Sequence, residues 1–320
     1  MSTPDPMQPA ASPAAADPAP AAVAPSTAAA AAPASVAAAS APVAATAPRP
    51  HVVEFRDVSK TYGSGARAYT AIKNINFVVD DRPDHGEFVS ILGPSGCGKS
   101  TILRLIAGLS PQHPPTTGDV LVFGQRVAGA SADRGMVFQD YTSFDHLSVL
   151  DNIAFGLECR GVPLKERHEQ AMAWIAKVGL NKDADAQKFP HQLSGGMRQR
   201  VAIARTLILK PRIILMDEPF GALDPPTRYA MQDLLMNLWR DQQASVFFIT
   251  HSIEESVFLS DRVFIMSRAP GTITHQLKMP PAGKPAHVRQ RERDFLDAVF
   301  EVRDLVEGQE RPAAAAPAVG

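Results

Sequence analysis

Cysteine is scarce: Cys97 and Cys159 are the only two in 320 residues. A pair so few and so far apart excludes a disulfide framework and a cysteine-rich metal centre, and it suits a reducing compartment. Also missing is any hydrophobic run of about 20 residues, the length a bilayer-spanning helix needs. The uncharged stretch from Pro18 to Pro48 holds six prolines and no Leu, Ile or Phe, which argues against a span. Neither a basic leader nor a compact Leu-rich core accompanies it, so a secretory signal is not expected. An excess of one charge is absent too, with 32 Lys+Arg against 33 Asp+Glu. Beyond residue 50 the counts are 31 and 31, which leaves nothing to hold a polyanion by charge alone; no nucleic-acid partner is expected. No internal repeat is found.

What is present divides unevenly. Residues 1–50 contain 22 Ala and 11 Pro with only Asp5, Asp17 and Arg49 charged, too little bulk to form a core, and they are read as a disordered tail. Residues 311–320 read the same way. Folded sequence begins near His51. A β-like run at 52–58, turn glycines 63 and 65, and a second run from Ile72 to Val79 predict two antiparallel strands. Glu87 to Leu92 reads as a buried strand, followed by glycines 93, 96 and 98 and a helix running toward Gly108. Residues 147–209 are mostly helical in pattern, with helices at 164–178 and after glycines 195 and 196. Apolar runs 213–216 and 246–249 resemble buried parallel strands joined by a helical crossover at 227–241, an α/β arrangement. Phe295, Val299, Val302 and Val306 recur at helical spacing and predict one amphipathic helix over 287–307.

Three stretches carry chemistry. Gly93, Pro94, Ser95, Gly96, Cys97, Gly98, Lys99, Ser100 and Thr101 match G-x-x-x-x-G-K-[ST] between a strand and a helix. Such a loop turns backbone N–H groups toward phosphate oxygens, with Lys99 placed for the β- and γ-phosphates and the Ser100 hydroxyl for Mg²⁺. Second, Ile213 to Glu218 is an apolar strand ending in two carboxylates, where a parallel sheet presents ligands. Asp217 is the candidate to hold Mg²⁺ through water, and Glu218 to polarise an attacking water. Third, Ser194, Gly195 and Gly196 open a helix whose free N–H groups suit a further phosphate.

Together with Gln139 in Val-Phe-Gln-Asp, Asp224 in Gly-Ala-Leu-Asp and His251 in Ile-Thr-His-Ser, these stretches resemble the ATP-binding subunit of an ABC transporter over about residues 51–275. The resemblance implies a P-loop ATPase cassette with an antiparallel β subdomain and a helical subdomain at about 140–209, within an ATP-binding domain spanning 51–283, followed by a helix within 284–310. It implies ATP and Mg²⁺ as cofactors, and a head-to-tail pair of copies in which Ser194, Gly195 and Gly196 complete the partner copy's phosphate loop. Tyr62 would stack on adenine, Gln139 would sense Mg²⁺ and water, His251 would contact the γ-phosphate, and Asp224 would bridge the two sites.

A mechanical ABC ATPase acting on nucleic acid or the ribosome is the alternative class. Those relatives usually insert a long coiled coil or carry two cassettes, whereas only 95 residues separate Lys99 from Ser194 here and each motif occurs once. The stretches Met216 to Asp224, Thr227-Arg228, Phe248 to Ser256 and Ser267 to Ile273 are similar to the nitrate, sulfonate and taurine import group; urea-like or pyrimidine-precursor solutes are the runner-up. The 69 residues after His251 are too few for a maltose-type regulatory domain. Expected partners are transmembrane permease subunits, a second copy, and indirectly a solute-binding protein, with the chain peripheral at the cytoplasmic face of the membrane. Asp140 to Leu147 departs from the Leu-Pro-Trp stretch of taurine-type relatives. Arg82–His85 and Gln112–Thr117 are read as tolerated surface loops. Alkylation of Cys97, beside the phosphates, is expected to block hydrolysis, with Mg-ATP protecting.

Overall fold

Alternation along the first strand sets the first layer. In the computed structural model, β1 (Val53–Tyr62) buries Val53, Phe55 and Val58 while Arg56 faces out. Its partner β2 (Tyr69–Val79) returns antiparallel with Val53 opposite Val79 and Tyr62 opposite Tyr69. The structure describes residues 50–310 except 83–85, 141 and 281–282. Of the chain's two units, Met1–Thr46 and Ala47–Gly320, the first therefore lies outside the described residues. So do 311–320 and most of the Arg82–His85 stretch, with the expectations attached to them.

All five residues of β3 (Phe88–Leu92) are buried, as a central strand covered on both faces requires. The chain then enters α1 (Lys99–Ala107), which stops at Gly108 in the left-handed conformation. Next, β4 (Thr117–Val122) and β5 (Gln125–Arg126) complete an antiparallel sheet ordered β2-β1-β4-β5. After β6 (Arg134–Val137) come α2 (Val149–Cys159), α3 (Leu164–Lys177), α4 (Lys182–Asp185) and α5 (Gly195–Leu207). The chain closes with β7 (Ile213–Asp217), α6 (Pro225–Gln242), β8 (Ser245–Ile249), α7 (Ile253–Leu259), β9 (Arg262–Met266), β10 (Ile273–Lys278), α8 (Ala286–Arg289) and α9 (Arg293–Glu310).

The second sheet runs β10-β9-β3-β8-β7-β6, parallel except for the β9–β10 hairpin. As expected, α6 crosses over between the adjacent strands β7 and β8. This order brings the carboxyl ends of β3, β8 and β7 side by side, and those ends carry the phosphate loop, His251 and Asp217. Phe88, Trp239 and Phe248 lock α6 to the sheet, with ring centroids 5.4 Å and 5.8 Å from Phe88, while the indole N–H donates to Ala244 O at 2.7 Å.

Two expectations need correction. The single helix over 287–307 is two helices broken at Gln290–Glu292. Arg289, 4% exposed, donates to Glu292 Oε2 at 2.7 Å and to both oxygens of Asp294 at 2.7 and 2.8 Å. That fork of donors holds the bend. Beyond it Phe295, Val299 and Val302 do pack inward. The Gln112–Thr117 stretch does reach the surface at Pro114, Thr116 and Thr117, but it is not free to vary as expected. Gln112 is buried, Lys60 Nζ donates to Pro114 O at 2.7 Å, and Thr61 N donates to Thr116 Oγ1 at 2.9 Å. The stretch is laced to β1.

Candidate nucleotide-binding and hydrolysis site

The phosphate loop is shaped by what glycine permits. Gly98 has φ +99°, and a Cβ there would come within 2.4 Å of Ile72 Cγ2, so a side chain is excluded both by the backbone and by contact. No side chain caps α1 at this glycine, which leaves the first helical N–H groups for an anion. Gly271, in the turn joining β9 and β10, presses from below: a Cβ there would lie 1.9 Å from Cys97 O. Its N–H donates to Ala71 O at 2.8 Å and its carbonyl accepts from Lys73 N at 2.9 Å. The loop thus rests on both sheets.

Lys99 is 5% exposed. Its ammonium donates to Gly93 O at 2.8 Å and Pro94 O at 3.0 Å, leaving one of three N–H donors for a ligand. Around it lies a cleft of about 340 Å³ lined by Tyr62, Tyr69, residues of the loop, Glu218 and His251. Ser100 Oγ donates to Asp217 Oδ1 at 2.9 Å. Burial pushes the Asp217 carboxyl up, opposed by the Ser100 hydrogen bond and Arg104. Glu218 follows in the left-handed region at φ +49°, an uncommon conformation for a residue with a Cβ. Its N–H is fixed by Ile249 O at 3.0 Å. His251 Nε2 stands 2.6 Å from Glu218 Oε1, and Gln139 Nε2 donates to Glu218 Oε2 at 3.4 Å. Both carboxylate oxygens are therefore engaged, by the two side chains expected at this site.

Glu218 and His251 also border a second cavity of about 550 Å³, on whose far wall are Arg228, Thr250 and Glu255. Tyr62 borders the first cleft with its hydroxyl 3.4 Å from Thr101 Oγ1. Ser194 caps α5, accepting from Met197 N at 3.3 Å, and Asp224 caps α6, accepting from Thr227 N at 3.3 Å; hydrogen bonds from the Thr227 side chain and backbone hold the Asp224 carboxyl below the usual range. The two helix starts adjoin, since a Cβ on Gly196 would lie 3.0 Å from Thr227 Cγ2. Neither Ser194, Gly195, Gly196 nor Asp224 lines the nucleotide cleft of its own chain.

Cys97 corrects an expectation. Its side chain is 1% exposed and belongs to the apolar core beneath the loop, and burial pushes its thiol up. A reagent meets neither an open path nor a ready thiolate. Tyr69, by contrast, was not anticipated: its hydroxyl donates to Gly96 O at 3.1 Å. The hairpin about Gly63 and Gly65 was the available signal, since pairing across it sets Tyr69 opposite Tyr62. The Arg228, Thr250 and Glu255 cluster was also missed; nothing local marks residues that meet only in the fold.

Known proteins match this arrangement. The family model described as ABC transporter matches residues 72–221. The chain is 43% identical to the nitrate import ATP-binding protein of Synechocystis sp. over 81% of its own length and 96% of that protein. The chain belongs to the ABC transporter family. It is 45% identical to the taurine import ATP-binding protein of Burkholderia pseudomallei over 72% of its length and 86% of the relative. Among solved structures, a dimeric ATP-binding cassette in a post-hydrolysis state with ADP and Pi shares 33% identity and a TM-score of 0.61, covering 72% of this chain and 99% of that one. This ABC chain is accordingly an ATP-binding, ATP-hydrolysing subunit with the P-loop cassette fold.

Proposed function

We propose that the chain powers a multi-subunit importer of small oxyanionic or sulfonated solutes of the nitrate, sulfonate or taurine type. The observation that carries the hydrolytic part of this reading is Glu218: a carboxylate just past the end of β7, on a left-handed backbone fixed by Ile249 O, sharing a cleft with the phosphate loop and gripped by His251 and Gln139. Glu218 would take the proton of the attacking water as general base. His251, its ring nitrogen 2.6 Å from that carboxylate, would hold the base in place and meet the γ-phosphate. Lys99 and the loop N–H groups would carry the phosphate charge, and Tyr62 would stack on adenine.

Ser100 and Asp217, 2.9 Å apart, offer oxygens that suit Mg²⁺, with Gln139, which reaches Glu218 beside them, as the further ligand; the ion takes few protein ligands and fills its shell with phosphate and water. Among the described residues no cluster of three or more acidic, His or Cys side chains could hold a metal alone, in keeping with an ion that enters with the nucleotide. When bound it would neutralise charge on the β- and γ-phosphates.

Ser194, Gly195 and Gly196 lie apart from their own cleft, which supports a two-copy arrangement where each completes the other's site and Asp224 lies between. No described helix is long and apolar enough to cross a membrane, so transport would require permease subunits, with this chain docked at the cytoplasmic face and a solute-binding protein delivering cargo. A groove of about 460 Å³ lined by Phe138, which precedes Gln139 in the chain, and by Phe144, Phe155, Arg205 and Leu209, would seat the permease helix. Of its aromatic lining, Phe144 belongs to the Asp140 to Leu147 stretch that departs from taurine-type relatives; Tyr141 lies outside the described residues. The test is Glu218→Gln. It is expected to bind ATP, accumulate as a dimer by size exclusion and lose turnover by about a hundredfold or more. A variant that still hydrolyses ATP normally overturns the assignment.

A further inference from the structure

The second cavity poses a question the hydrolytic reading leaves open: what holds His251 against Glu218. His251 follows β8 in a short turn before α7, and that turn is fixed through Thr250. The Thr250 hydroxyl accepts from Ser252 N at 3.0 Å and donates to Glu255 Oε2. Glu255 is 4% exposed on α7, and Ser252 Oγ receives its N–H at 3.2 Å. The other oxygen of Glu255 faces Arg228 Nε at 3.5 Å. Arg228 sits in the first turn of α6 and reaches back, donating through Nη2 to Leu223 O at 3.0 Å, one residue before Asp224. Two charged side chains from separate helices thus join the turn carrying His251 to the segment carrying Asp224.

We propose that Arg228 and Glu255 are paired positioning residues that set the His251 turn for hydrolysis and tie it to the Leu223–Asp224 segment, an inference that rests on the reading of Glu218 and His251 given above. A carboxylate this deeply enclosed is costly unless paired, and nothing in phosphate binding requires it: neither Arg228 nor Glu255 lines the nucleotide cleft. Its partners are instead the residue before His251, the arginine that clamps the residue before Asp224, and the buried Gln232 of α6, which also hydrogen-bonds the carboxylate. If Asp224 lies at the boundary between two copies, the pair reports closure of that boundary to the histidine.

A stabilising ion pair and a positioning pair are told apart by removing both charges. Glu255→Gln is isosteric and leaves Arg228 unpaired; Arg228→Met with Glu255→Gln removes the mismatch, and such neutral replacements often restore stability. In the full chain, Glu255→Gln is expected to lower kcat about tenfold with the KM for ATP within about twofold, and to lower Tm. The double variant is expected to recover Tm while kcat stays down. Arg228→Lys, which keeps the charge but not the fork, should show an intermediate kcat. A double variant that recovers kcat with Tm, single variants with normal kcat, or a loss confined to KM would each overturn the proposal. ATP hydrolysis by the unaltered chain is the control: if present, those outcomes count against the pair alone, and if absent, it is the reading of the Glu218 site that fails.

Discussion

At the scale of single residues, the two cysteines separate cleanly. Cys159 is exposed and Cys97 buried, and burial holds the Cys97 thiol in its neutral form. Under limiting alkylation, mass spectrometry is expected to find label on Cys159 at least about tenfold faster than on Cys97, with ATP hydrolysis retained at one label per chain. Preferential labelling of Cys97 would contradict the packing beneath the loop. The same scale shows what a sequence discloses. Gly93 to Thr101, Asp217, Glu218 and His251 were readable because each lies at a strand end where spacing and residue type constrain it. Their mutual grip was not, since the 2.6 Å approach of His251 to Glu218 depends on β7 and β8 being neighbours. Cys97 misled because its place in the loop says nothing about which way its side chain turns.

At the scale of elements, strands with apolar runs and the longer helices between them were legible: β3, β7, β8, α3 and α6 fall within a few residues of expectation. The polar strands β5 and β10 were not, because neither has a buried position to signal it: both residues of β5 are exposed, and β10 alternates between half-buried and exposed positions. The break before α9 was also hidden, since the apolar residues at helical spacing, Phe295 to Val306, all lie beyond it and leave the polar stretch where Arg289 bends the chain unmarked. Arg289→Ala should therefore loosen α9, costing about 1–3 kcal/mol for a buried guanidinium's charged hydrogen bonds, measured as a fall in Tm. Lys284 and Arg289 hold the Glu292 carboxyl below its ordinary range, and Arg289 does the same for Asp294. Their contribution is present above the ordinary carboxylate range and fades as pH falls through the lowered values. The Tm difference between wild type and Arg289→Ala should accordingly shrink below about pH 4.

At the scale of the whole molecule, the near-neutral balance of charge found in the sequence accords with a chain that docks on protein rather than on a polyanion. The site's elements all belong to Ala47–Gly320, so removal of residues 1–46 is expected to leave ATP hydrolysis within about twofold of the full chain, measured by phosphate release; a larger loss would assign those residues a part in catalysis. One further consequence lies in Gly271. Its backbone joins Ala71 and Lys73 of β2 to the turn between β9 and β10 while pressing on Cys97 O. Two stretches distant in sequence, β2 and the β9–β10 turn, therefore share the task of freezing a single loop. The entropy lost in ordering that loop is charged to folding rather than to nucleotide capture, and the anion meets a cradle already cast.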